Sequence, residues 1–226
     1  MRRVFLLSAI MVLAFVLFSC VTTQFTRADQ YPKMYEENPL TLLIMPPINN
    51  TNHVEAKDLL YTSIARPLAE SGYYVISPFL SMEVLRAESA YDAELFIDSS
   101  LDKFKQFFGA DAVVFSVIDT WEKRGFGIDT KIHYIIKSTK TNEIIFDRSC
   151  DLYLDLSVNS GSSGIIGALA DLTASAINTA VTKHIRAARM ANQYIFKDIP
   201  RGLYSPYYQL DMDFSADKKD IRKSVK

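Results

Sequence analysis

LTLLIMPPINNTNHVEAKDLLYTSIARPLAESGYYVIS, residues 40–77, decides the fold. LTLLIM at 40–45 is apolar without alternation, the pattern of a short strand buried on both faces. Pro46 and Pro47 stop it, and INNTN reads as a polar loop. From 54 to 71, Leu59, Leu60, Ile64 and Leu68 recur at three- and four-residue spacing, which predicts an amphipathic helix. Pro67 lies inside that pattern and predicts a kink or break near Arg66. Gly72 is the expected C-terminal cap, and YYVIS at 73–77 reads as a second strand. Strand–helix–strand of this length makes a parallel crossover.

Toward the C-terminus, Pro78 after Ser77 opens a helix over 79–90, with Leu80, Val84 and Leu85 on its apolar side. A further helix spans 101–108 and ends at Gly109. The run AVVFSVIDTW at 112–121 is a strand whose first half is apolar on both faces. Strict alternation follows. Ile128, Ile132, Tyr134 and Ile136 share one face, with Asp129, Lys131, His133 and Lys137 opposite. In 143–156 the even positions are Ile144, Phe146, Arg148, Cys150, Leu152, Leu154 and Leu156. Period two with one polar face marks antiparallel strands, wet on one side. SVNSGSSG at 157–164 reads as a flexible loop, and 165–196 as a long alanine-rich helix with Leu169, Leu172, Val181, Ile185 and Ala188 on one stripe. The tail from 201 carries tyrosines and a charged end, DKKDIRKSVK, expected to be disordered. The fold class is therefore α/β (α+β). An N-terminal βαβ unit leads into an antiparallel meander and a long C-terminal helix, a mixed sheet with helices packed on it.

Working back to the N-terminus, MRRVFLLSAIMVLAFVLFSC at 1–20 has a basic start, an apolar stretch and a small residue before Cys20. A secretory signal has this form. Cys20 after Ser19 resembles the lipobox of bacterial lipoproteins, which implies cleavage before Cys20 and diacylation of its sulfur. An uncleaved membrane helix is the alternative, but the apolar run of about 14 residues falls short of the ~20 a bilayer needs. Four segments follow: signal peptide 1–19, lipidated polar tether 20–38, one α/β domain 39–200, and a tail 201–226. No aspartate follows Cys20, which makes the outer membrane the default location, on its periplasmic face or at the cell surface.

Composition narrows the function. The full chain has a net charge of −1, and cleavage before Cys20 would leave 23 basic against 26 acidic residues, so no nucleic-acid partner is expected. With Cys20 acylated, Cys150 has no partner within the chain, and its phase places it on the apolar face as a small hydrophobe. Arg148 is the odd member of that face, explained by a strand-end position or by a carboxylate from the long helix. No HExxH, CxxC, GxSxG or phosphate-loop pattern occurs, so neither metal nor cofactor is expected. GSSGIIG at 161–167 reads as a linker rather than an anion site. The remaining candidate is the loop 46–53. Asn49, Asn50, Thr51 and Asn52 cluster there beyond the carboxyl end of a strand, where open α/β sheets hold ligands. The same residues also serve to satisfy turn backbone and cap the next helix.

MPPINNTNHVEA, RPLAESGYYVISP, FGADAVVFSVI and KSTKTNEIIFDRS resemble segments of the uncharacterised bacterial lipoproteins that include a meningococcal surface antigen. GLYSPYYQLD is similar to that family's closing segment, with Ser205 where glycine is usual. Thr-Asn-Glu at 141–143 stands for the usual Thr-Gly, and Phe146 for a usual tryptophan. The resemblance covers about residues 40–212. It implies a fold similar to the periplasmic domains of curli-secretion lipoproteins, and a non-enzymatic role in assembling an envelope or secretion complex. The implied partner is an envelope protein such as a curli-secretion-like lipoprotein; the lipid on Cys20 adds the membrane, and the edge strands and alanine-rich helix offer surfaces for further copies of the chain. Capture of a small ligand, peptide or glycan at 46–53 is the alternative, and an envelope hydrolase a third.

Overall fold

The computed structural model describes residues 25–156 and 175–226, and within 175–182 the backbone only. Its centre is a seven-stranded mixed sheet. β1 (Thr41–Ile44) lies parallel between β3 (Tyr74–Val75) and β4 (Ala112–Arg124). The two-residue β2 (Ile48–Asn49) continues alongside β4, pairing Ile48 with Val117. β4, β5 (Gly127–Ser138) and β6 (Ile144–Asp155) form the expected antiparallel meander. At the far edge β7 (Asp220–Val225) runs parallel to β6.

Alternation in these strands divides the core into two layers. One face carries Leu42, Ile44, Val114, Ile132, Tyr134, Phe146, Cys150 and Leu152. Against it pack α3 (Glu55–Glu70), through Leu60, Ile64 and Leu68, and α6 (Ser175–Phe196), through Ala188, Ala191 and Ile195. Each fully buried leucine or isoleucine contributes about 2 kcal/mol gross. A buried polar chain links the three elements: Tyr134 donates to Asn192, whose amide donates to Ser63 Oγ at 2.8 Å. Ser63 in turn donates to the Leu60 carbonyl at 2.8 Å. The opposite face carries Leu43, Met45, Val113 and Phe115, covered by α4 (Pro78–Ala87) and α5 (Asp102–Phe108) through Leu85 and Phe104.

Helix α3 runs unbroken past Arg66. Pro67 falls in its last turn, where Leu68 is anchored in the core and Ser71 Oγ donates to the Pro67 carbonyl at 2.8 Å. The helix closes with a Schellman pair, Gly72 N–H to Ala69 O at 3.0 Å and Tyr73 N–H to Leu68 O at 3.3 Å, with Gly72 at φ +93°.

Two expectations fail at the ends of the domain. The stretch read as a tether folds from Thr26 onward into α1 (Arg27–Gln30) and α2 (Pro32–Glu37). Thr26 and Asp29 form a reciprocal capping box, Pro32 occupies the first turn of α2, and Tyr31 and Met34 are buried in the main core. Such helices are too short for periodicity to reveal. The charged tail is not disordered where it forms β7, because Ile221 is buried against the sheet and Lys219 and Arg222 meet Asp147 and Asp151 of β6.

Candidate functional site

Part of the stretch read as a polar loop is β2, and from its end Asn49 Oδ1 accepts from the Thr51 N–H at 3.1 Å and from its hydroxyl at 2.8 Å, while Asn49 Nδ2 donates to His53 O at 2.8 Å. The His53 N–H donates to Thr51 Oγ1 at 3.2 Å. Asn50 donates to Asp119 at 3.3 Å, at the register shift that breaks the β4–β5 ladder. Asn52 is exposed. The fold thus spends Asn49 and Thr51 on their own turn, an Asx-type arrangement. They do not cap α3, whose N-cap is Val54 without a side-chain bond.

The loop delivers His53 to a cluster the linear sequence does not suggest. Its ring centroid lies 5.2 Å from that of His184 on α6, and Trp121 Nε1 donates to His184 Nδ1 at 2.8 Å. Burial, and secondarily the neighbouring His53, hold the His184 imidazole below its ordinary value. Among the described residues no group of three histidine, cysteine, aspartate or glutamate side chains could hold a metal ion.

On the outer face of β5 and β6, Ile135 packs into the α4–α5 core layer and the rest of the face is largely polar. There a groove of about 680 Å³ is lined by Asp119, Lys131, His133, Asp147, Asp151 and Arg222, among others. Its charges are largely spent on each other. His133 Nε2 and Lys219 Nζ each reach Asp147 at 2.6 Å, Arg222 reaches Asp151 at 3.1 Å, and Ser149 Oγ donates to Asp220 at 2.5 Å. Burial raises the Asp147 carboxyl, but the bonds from Lys219 and His133 outweigh it and leave the group below its ordinary value. Alternation alone marked this face as wet. The wall that makes it a groove is β7, read as a tail.

Two buried arginines hold the ends of the chain together. Arg148 donates to Asp198, to Ile195 O at 2.9 Å and to Lys218 O at 2.9 Å. Its partner is a carboxylate just past the end of the long helix, and Arg148 itself lies within β6 rather than at a strand end. Arg27 donates to Asp211 Oδ2 at 2.7 Å, and the Arg201 N–H shares that oxygen at 3.0 Å. Cys150 lies in the apolar core, where burial pushes its thiol up to about 12.

A second concavity, about 340 Å³, opens between α4 and α5. It is lined mainly by Val84, Leu85, Phe96, Phe104, Phe107 and Phe108. Of these Phe107 stands well exposed, at 67 %, and Val84 at 37 %. Cys20 and GSSGIIG at 161–167 lie outside the described residues.

A family model of GNA1162-like lipoproteins matches residues 29–205. The lipoprotein NMB1124/NMB1162 of Neisseria meningitidis serogroup B is 24 % identical over 181 residues, 78 % of this chain and 80 % of that protein. The crystal structure of lipoprotein GNA1162 from Neisseria meningitidis is similar at 22 % identity and a TM-score of 0.48, covering 64 % of this chain and 97 % of that one. The hypothetical protein CT253 from Chlamydia trachomatis is similar at 17 % identity and a TM-score of 0.43, over 71 % and 93 % of the two chains. The family match takes in the βαβ unit, the meander and α6, and stops short of β7. The chain belongs to the GNA1162-like lipoprotein family.

Proposed function

We propose that this lipoprotein is anchored in the outer membrane through acyl chains on Cys20 and acts without catalysis, holding a protein partner in an envelope or secretion assembly. The observation that carries this reading is the apolar groove between α4 and α5. Four phenylalanines line it and one of them, Phe107, stands well exposed, and apolar surface of this kind is costly to leave in water unless something covers it. A partner's apolar segment laid between two helices fits such a groove. A curli-secretion-like lipoprotein, implied by the family resemblance, is the first candidate. Ligand capture at 46–53 has less support, since Asn49 and Thr51 are committed to their own turn.

A photo-crosslinking residue at Phe107, in cells carrying the full chain, tests this. An adduct with an envelope protein, lost in Val84→Asp, is expected. Adducts from a control position such as Lys140 but none from Phe107 would overturn the groove as the docking surface. An adduct with a second copy would replace a foreign partner by self-assembly. Cys20→Ala should abolish acyl labelling and release the chain from the membrane fraction.

A further inference from the structure

The first helix of the described fold lies close in sequence to the proposed anchor. Four residues, 21–24, separate Cys20 from Phe25, and Thr26 already caps α1. The five Cα–Cα steps from Cys20 to Phe25 reach at most about 18 Å. Part of that reach is consumed in crossing the headgroups, which add roughly 5–8 Å on each side of the hydrocarbon core. The domain is therefore held within about 10–13 Å of the headgroup surface. The surface around Phe25 is the part of the described fold nearest the anchor in sequence.

That surface is the segment 203–214. Ala216 N–H donates to Phe25 O at 2.9 Å, Arg27 N–H to Phe214 O at 2.8 Å, and Ala28 N–H to Met212 O at 3.1 Å. An isolated bridge joins Thr26 to Ser215. The segment is exposed and apolar or aromatic at Tyr204, Tyr207, Leu210, Met212 and Phe214, with Leu210 at 71 %. The Tyr207 and Phe214 rings lie 6.3 Å apart, and the Arg27 guanidinium sits over Phe214 at 5.5 Å. The backbone of this strip is fixed, since Asp211 is fully buried on Arg27 and Gly202 N–H donates to Ser71 O at 2.9 Å. An exposed strip rich in tyrosine and phenylalanine, held rigid, suits the membrane–water boundary, where one end of each ring meets hydrocarbon and the other meets water.

We propose that residues 203–214, together with Phe25, seat the domain on the surface of the bilayer that holds its own acyl anchor. This rests on the assignment of Cys20 as the anchor. The consequence is an orientation: α1 and α2 lie near the lipid, while the α4–α5 groove, on the other face of the sheet, stays accessible to a partner.

The test uses the full lipidated chain in phosphatidylethanolamine–phosphatidylglycerol vesicles whose acyl chains carry bromine near the headgroups. A fluorophore is attached at Tyr207→Cys, Leu210→Cys or, as a control, Phe107→Cys, the native Cys150 being buried. Labels at 207 and 210 should be quenched several-fold by the brominated lipid and the label at 107 hardly at all. Leu210→Glu should relieve quenching at 207 while the protein still floats with the vesicles. Flotation with no quenching at 207 and 210 would overturn the seating and leave the anchor standing. So would labels shielded from water but not quenched, which would place another protein or a second copy on the strip. A chain that fails to float would instead remove the anchor assignment on which the seating rests.

Discussion

Arg148 occupies an apolar face with no solvent exposure; its two terminal nitrogens donate to Asp198 and two carbonyls, while its buried Nε has no hydrogen-bond partner among the described residues. Alternation placed it on that face, but its partner is 50 positions away and no local pattern reaches so far. Asn142 is a case where the family's habit has a visible cause. It sits at φ +60° in the turn between β5 and β6, where glycine is usual and asparagine is among the few side chains tolerated. Asn142→Val is expected to cost about 1–2 kcal/mol in urea unfolding, and Asn142→Gly to stay near wild type. Ser205 replaces another usual glycine without strain, since its φ is not positive. His184 gives a pH dependence. The folded chain favours the neutral ring, while the unfolded chain takes up a proton near 6.5. The stability this group contributes is complete above about 6.5 and is lost as the pH falls toward its lower folded value. Trp121 is the single tryptophan and donates to that ring. Its emission should therefore change with a midpoint below 6.5, and His184→Phe should abolish the transition.

Among the elements, long periodic segments were legible and short ones were not. The meander, α3 and the C-terminal part of the long helix fall where periods of two and 3.6 place them. The segments α1, α2, β2 and β7 have two to six residues each, and tertiary contacts rather than pattern decide them. The candidate loop was legible as a cluster of polar groups, but whether they faced a ligand or each other depended on coordinates. Gly72 was legible only as a cap. Its second role is to let the C-terminal segment lie against it: a Cβ on Gly72 would meet Ser205 N at 2.5 Å, and one on Gly202 would meet Gly72 O at 2.4 Å. Tyr73 seals the contact by donating to Pro200 O at 2.6 Å. Gly202→Ala forces two backbones apart and should cost about 1–3 kcal/mol, as overpacking does. Gly72→Ala adds the penalty of a positive φ and should cost more. Thermal melts of the two variants, ranked in that order, are the check.

At the scale of the molecule, the family match ends at residue 205, yet the fold does not. A chain stopped there loses Asp211, the counter-charge of Arg27, together with Phe214, which covers the guanidinium, and β7. Truncation after residue 205 should therefore lower the urea midpoint sharply. Within the full chain, Asp211→Ala breaks the buried pair from one side and should cost about 3–5 kcal/mol. Arg27→Met added to Asp211→Ala should recover part of that loss. The pair also sets a clock. Arg27 and Asp211 are 184 positions apart, so at about 5–20 residues per second the ribosome makes the arginine roughly 10–40 s before its carboxylate. Closing so long a loop is slow even in the complete chain. Stopped-flow refolding should show Trp121, inside the meander, reaching its native signal before a reporter at Phe214 does. The strip beside Phe25 would then set late, after the meander, and only once the chain past Asp211 has been made.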